Sequence, residues 1–177
     1  MSDSQDIFDL IDTGDAAGLR ALLSVEPSAA TRRTPDGQSA LMRAAYRSNE
    51  LMKIVHAADP PLDGWDRILV GKDDQLPPHD AWSTDGFTPL HVAAFSRNVA
   101  ATRALLAAGA DPNTIARASF AKVTPLGTAA FVGSLEVARE LLSAGADPSI
   151  PAGASPIDTA RARKHSELLQ LLLSAQR

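Results

Sequence analysis

The sequence predicts an all-α fold built by stacking short helix–turn–helix units, and three observations predict it. The segment Thr88-Pro89-Leu90-His91-Val92-Ala93-Ala94-Phe95 returns thirty-six residues later as Thr124-Pro125-Leu126-Gly127-Thr128-Ala129-Ala130-Phe131. The stretch downstream of each copy repeats too: residues 104–112, ALLAAGADP, are echoed in residues 139–148, RELLSAGADP. Self-similarity at a period in the thirties marks a solenoid, in which no unit can bury its apolar face alone. Third, the chain is 45% apolar but only 5% aromatic. Its abundant alanines let helices approach closely, which suits thin stacked layers better than one thick core.

The first unit, residues 5–35, carries Ile7, Phe8, Leu10 and Ile11 on one helical stripe, a Gly14-Asp15 break, and a second stripe of Leu19, Leu22 and Leu23. It lacks the Thr-Pro-Leu start and reads as an N-terminal cap with a polar outer face. Asp36-Gly37 is a turn signal that opens the second unit, residues 36–60, where Ser39 and Leu41 stand as Thr88 and Leu90 do and Met42 replaces the histidine. Leu90 to Asp111 and Leu126 to Asp147 are both 21 residues, but Leu41 to Asp59 is 18, so the second helix of this unit is about one turn shorter. Asp59 to Thr88 is 29 residues, against 13 from Asp111 to Thr124. Residues 61–84 are therefore an insertion or a decayed unit, with a helix expected over residues 62–70. Units at 85–117 and 118–150 share the common plan, each second helix ending at a glycine, Gly109 or Gly145. Leu106 and Leu142 are expected to be buried in those helices. Residues 151–177, with Ser155-Pro156-Ile157 and a leucine-rich last helix, read as the C-terminal cap.

The Thr-Pro-Leu-His-x-Ala segment at 88–93, its partial copies at 39–44 and 124–129, and the Gly-Ala-Asp-Pro endings resemble the ankyrin-repeat family. The resemblance implies a solenoid, and the spacing places an irregular insertion or decayed repeat between repeats two and three. It implies that His91 hydrogen-bonds backbone near the turn, and that His165, at the Gly-His position of the family, is structural. It also implies a protein partner, held in a concave groove and at the turn tips. Aligning on Leu41, Leu90 and Leu126 puts Tyr46, Phe95 and Phe131 at one repeat position, which in the family ends the first helix and faces the groove. Arg47, Ser96 and Val132 come directly after them, and Thr84, Phe87 and Phe120 fall at or near turn tips. These nine residues form the expected partner-binding set. Two roles fit the aromatic ladder, anchors for a partner or seals between adjacent repeats. Trp65 and Trp82 likewise either anchor the 61–84 stretch in the core or face a ligand.

Composition narrows the function classes. A net charge of −4 disfavours a nucleic-acid partner. The absence of cysteine excludes disulfides, thiolate zinc sites and a cysteine nucleophile. The polar, acidic opening lacks a signal peptide, and no apolar run approaches the ~18 residues of a membrane span; a cytoplasmic monomer is expected. No two of His56, His79, His91 and His165 stand at metal-ligand spacing. No phosphate-cradling glycine motif or nucleophile elbow occurs, so neither cofactor nor catalysis is expected. The expected function is a non-enzymatic protein–protein interaction module. One alternative is an inhibitor or immunity-type regulator that plugs a partner enzyme with residues 61–84. Another, of a different class, is an enzyme or small-ligand site at the His79/Asp80 loop, where Asp73 and Asp74 lie close in sequence.

Overall fold

The computed structural model describes residues 6–150 and 152–176. The polar opening, residues 1–5, and the cap residues Pro151 and Arg177 lie outside the described residues. Among those described there are eleven α-helices, one 3-10 turn and no strand. The chain divides into two compact units, one ending at Asp66 and the other beginning at Arg67.

In the first unit, α1 (Ile7–Thr13) and α2 (Ala16–Val25) form one antiparallel pair, and α3 (Ala40–Arg47) and α4 (Asn49–Ala57) form the next. Three of these helices start where a short polar side chain takes an orphan backbone donor at close range. Asp15 accepts from the Gly18 N–H at 2.8 Å, Ser39 from Met42 at 3.0 Å, and Ser48 from Leu51 at 3.1 Å. Gly14, at φ 77, ends α1 in the left-handed conformation that lets the chain turn back at once. The buried stripes are Ile7, Leu10 and Ile11 on α1, Leu19 and Leu23 on α2, and Leu51 and Val55 on α4. Between the pairs, residues 32–39 form a tight hairpin closed by the Thr34 N–H on the Gln38 carbonyl at 2.9 Å and one isolated bridge from Arg33 to Ser39.

Asp66, on the short helix α5 (Gly64–Leu69), belongs to this unit and is a buried carboxyl, 2% exposed. The Ser39 hydroxyl donates to it at 2.5 Å while accepting from Met42, so one side chain both caps α3 and holds the acid. Burial pushes the Asp66 carboxyl up to about 6, further raised by Asp63 and opposed by the Ser39 hydrogen bond and by Arg33.

The second unit is a double row. The inner row is α6 (Pro89–Phe95), α8 (Pro125–Val132) and α10 (Pro156–Ala162), each starting with proline at the first helical position, where no hydrogen bond is lost. The outer row is α7 (Val99–Ala107), α9 (Leu135–Ser143) and α11 (Ser166–Ser174). Consecutive inner helices pack on one another, as do consecutive outer helices. Inner and outer helices are joined by turns through Arg97, Gly133 and Lys164, all with positive φ. The repeats are also tied by hydrogen bonds. The Asn113 amide donates to the Gly145 carbonyl at 3.0 Å, and its oxygen accepts from the Asp147 N–H at 2.8 Å.

Two expectations change. Leu106 and Leu142 are only half-buried; Leu105 and Leu141 fill the core. On α7 the buried stripe is Ala101, Thr102 and Leu105, and the next residue is turned ~100° off it. The helix expected over 62–70 is confined to α5, with Ile68 and Leu69 buried and Trp65 half-buried. In the second unit the Ile68 carbonyl accepts from Ser96 Oγ at 3.2 Å and Asn98 Nδ2 at 3.1 Å, and the Lys72 carbonyl from Asn98 Nδ2 at 2.8 Å. Asn98 also caps α7 through its oxygen, so its whole amide is used.

Candidate protein-binding surface

The tips of the second unit are fixed by backbone. The Ser83 N–H donates to the Phe87 carbonyl, the Ala116 N–H to Val123, and the Arg117 N–H to Gly86, each at 2.8 Å. The last bond joins one tip to the next. It requires glycine at 86, because φ is +87 and an added Cβ would stand 2.6 Å from the Ala118 nitrogen. Behind the tips, His91 is buried at the start of α6. Its Nε2 lies 3.0 Å from the Val123 carbonyl, which only accepts, so this nitrogen carries the proton. Nδ1 therefore accepts, from the Thr88 N–H at 3.3 Å and its hydroxyl at 2.7 Å. Burial holds this neutral ring down, to about 4.

This frame presents an aromatic patch. Phe120 is 73% exposed and meets the half-buried Phe87 edge-on, centroids 5.8 Å apart, and Phe87 in turn leans on the His91 ring. On the same pair of tips, the Arg117 guanidinium lies 3.8 Å from the Trp82 ring centroid. Thr84 is exposed beside them. Of the expected set, Thr84, Phe87 and Phe120 thus share one end of the inner row.

The other end of the inner row holds Phe95, Ser96, Phe131 and Val132. Phe95 is half-buried. Ser96 Oγ donates to the carbonyls of Ile68 and Val92. Phe131 is 46% exposed, with the Arg163 guanidinium 3.5 Å from its ring centroid. The Val132 carbonyl accepts from Arg97. The two remaining residues are in the first unit, Tyr46 half-buried in the last turn of α3 and Arg47 exposed at its end.

Trp82, Arg117, Arg97 and Arg163 lie outside the expected set. The signal for Arg163 is in the repeat alignment. Counting five residues on from Ile157 reaches Ala162, where Phe95 and Phe131 stand in earlier repeats. A small residue there leaves Phe131 uncovered on that side, and the next side chain covers it. At the His79 loop Asp74 is paired with Arg67. Among the described residues no group of three acids or histidines is placed to hold a metal ion, and no helix is long and apolar enough to cross a membrane.

A family model described as ankyrin repeats, in three copies, matches residues 11–116 and, in an overlapping match, residues 64–152. The chain belongs to the ankyrin-repeat family. No curated protein matches it significantly in sequence. Ankyrin repeats are generally protein–protein interaction modules and typically non-enzymatic. The all-α stacked-repeat architecture is that of the family, and the roles implied for two histidines have clear geometry here. His91 bonds backbone at both nitrogens, and the His165 ring packs closely against Gly133 between α8 and α11.

Proposed function

We propose that this ankyrin protein is a non-enzymatic binding module whose principal contact surface is the turn-tip patch of Trp82, Phe87 and Phe120, with Thr84 at its rim. The observation that carries this is Phe120. A phenylalanine left open to solvent on a backbone-braced tip supplies apolar area at little ordering cost, as interface anchors do. Phe131 and Val132 at the other end of the inner row, with Phe95, are further candidate contacts of the second unit, and Tyr46 and Arg47 are candidate contacts of the first unit taken by itself. The test is to isolate the partner from the source lysate and titrate it calorimetrically against wild type and Phe120→Ser. Affinity is expected to fall about tenfold or more, with the thermal midpoint unchanged because the side chain is exposed. Equal affinity in the two proteins rejects the tip patch.

Residues 61–84 draw more support as a repeat reduced to its first helix than as a free plug. Ile68 and Leu69 are core residues, and the carbonyls of Ile68 and Lys72 are held by Ser96 and Asn98. Removing residues 61–80 is therefore expected to lower the thermal midpoint. A deletion variant of unchanged stability that loses partner binding would favour the inhibitor alternative.

A further inference from the structure

Some arginines of the second unit are paired with carboxylates. Arg103 on α7 meets Glu140 on α9 at 2.6 Å, and Arg161 meets Asp158 on α10 at 2.8 Å. The C-terminal ends of the inner helices differ. Residues 95–98, 131–134 and 162–165 include Arg97, Arg163 and Lys164 and no aspartate or glutamate. Among the described residues none of these three cations forms an ion pair with a carboxylate. Arg97 gives one donor to the Val132 carbonyl, and Arg163 lies on the Phe131 ring. The chain as a whole is acidic, at −4; the first turns of α9 and α11, next to this end, carry Glu136 and Glu167, neither of them ion-paired with these cations, so three positive charges face two negative ones beside an exposed ring.

Helix ends explain part of it. The C-terminal end of a helix carries roughly half a negative charge, which holds a cation nearby without neutralising it. Stacking adds a second constraint. A guanidinium lying on a ring is held in place, while its N–H edge points outward, in the plane where a carboxylate can be gripped by two bonds.

We propose that this end of the inner row binds a carboxylate-bearing segment of a protein partner, its acids on Arg97, Arg163 and Lys164 and a neighbouring apolar side chain against Phe131. This rests on the protein-binding reading above and specifies the partner's chemistry. Charge alone would also admit a nucleic-acid phosphate run. The net acidity of the chain and the apolar Phe131–Val132 surface next to the cations favour a peptide, whose side chains alternate between charge and hydrocarbon.

The experiment uses the full chain and a short synthetic peptide that alternates glutamate pairs with leucine. Its glutamine counterpart and an oligothymidylate serve as competitors in chemistry. The glutamate peptide is expected to shift the amide resonances of residues 95–98, 131–134 and 162–165, and the glutamine peptide to leave them in place. Arg97→Gln with Arg163→Gln is expected to weaken glutamate-peptide binding about tenfold, and Arg163→Lys, which keeps the charge, by less. If the double variant loses its helical circular-dichroism signal, Arg163→Gln alone is used, with a smaller loss expected. The proposal is overturned if the glutamate peptide does not bind, if both peptides bind alike, if the shifts fall elsewhere, or if the oligothymidylate binds more tightly. A native partner that is weakened by Phe120→Ser but indifferent to both arginine substitutions would leave the module reading standing and remove this one.

Discussion

At the scale of single residues, Gly133 is a tightly constrained position outside the core. It has φ +72, and an added Cβ would stand 2.5 Å from His165 Cε1, which belongs to a packed ring. Gly133→Ala must therefore hold a left-handed alanine and displace the imidazole. A loss of about 1–3 kcal/mol in urea unfolding is expected, and a loss under ~0.5 kcal/mol would refute the packing role given to His165. Residue roles are legible in the sequence where the repeat reports them. His91 occupies a recurring motif slot, and its partners are backbone groups that every copy possesses. The arginines on Trp82 and Phe131 are not legible, because a cation over a ring depends on which neighbour leaves the ring bare. No periodicity encodes that. Ala162 leaves Phe131 open, and only the three-dimensional neighbour relation between α8 and α10 brings Arg163 there.

At the scale of elements, helix existence is readable from stripes and caps, but the choice between adjacent leucines is not. Leu105-Leu106 and Leu141-Leu142 are neighbours of equal hydrophobicity, and one residue is ~100° of rotation. In each pair the first is buried, because the outer helices present it to the inner row. Leu105→Ala or Leu141→Ala is expected to cost about 2–5 kcal/mol, and Leu106→Ala or Leu142→Ala about 1 kcal/mol or less. Equal losses within a pair, measured by denaturant unfolding, would contradict the assigned helix faces. The long gap between Asp59 and Thr88 is also legible from spacing. That it holds a helix of only six residues, Gly64–Leu69, is not, because the pattern of Leu62, Trp65, Ile68 and Leu69 continues beyond the turns that are formed. Pro60 and Pro61 lie just upstream, and the charged run after Gly71 offers no further apolar face.

At the scale of the whole molecule, the two units are expected to respond oppositely to pH. Asp66 has a raised pKa, about 6 against 3.8. Its protonated form is favoured by folding, so its contribution is complete below the ordinary carboxylate range and lost as pH rises through 6. His91 has a lowered pKa, about 4 against 6.5. Its contribution is complete above 6.5 and lost as pH falls through 4. Moving from pH 7 to pH 5 should therefore stabilise the packing of α3 around Asp66 and destabilise that of α6 around His91, by about 1–2 kcal/mol in each case. Hydrogen exchange of slow amides in α3 and α6, corrected for intrinsic rates, reads the two separately. Asp66→Asn should abolish the α3 response while sparing that of α6. Shifts of the same sign in both helices would show that other groups dominate. Neither pKa is visible in the sequence, since both arise from burial, and a histidine in a motif or an aspartate in an irregular stretch carries no mark of how dry its surroundings will be.

The bond from the Asp147 amide to the Asn113 side chain has a kinetic consequence. Most amide protons in a helical chain are held within one helix and are sheltered once that helix forms. The Asp147 proton is held by a residue thirty-four positions earlier, in the preceding repeat, and this solvent-exposed bond forms only after the two repeats have met. In a refolding experiment with pulsed exchange, its labelling would time repeat docking rather than helix formation. Because a stacked array grows through nearest-neighbour interfaces, one proton would thus clock the propagation step itself.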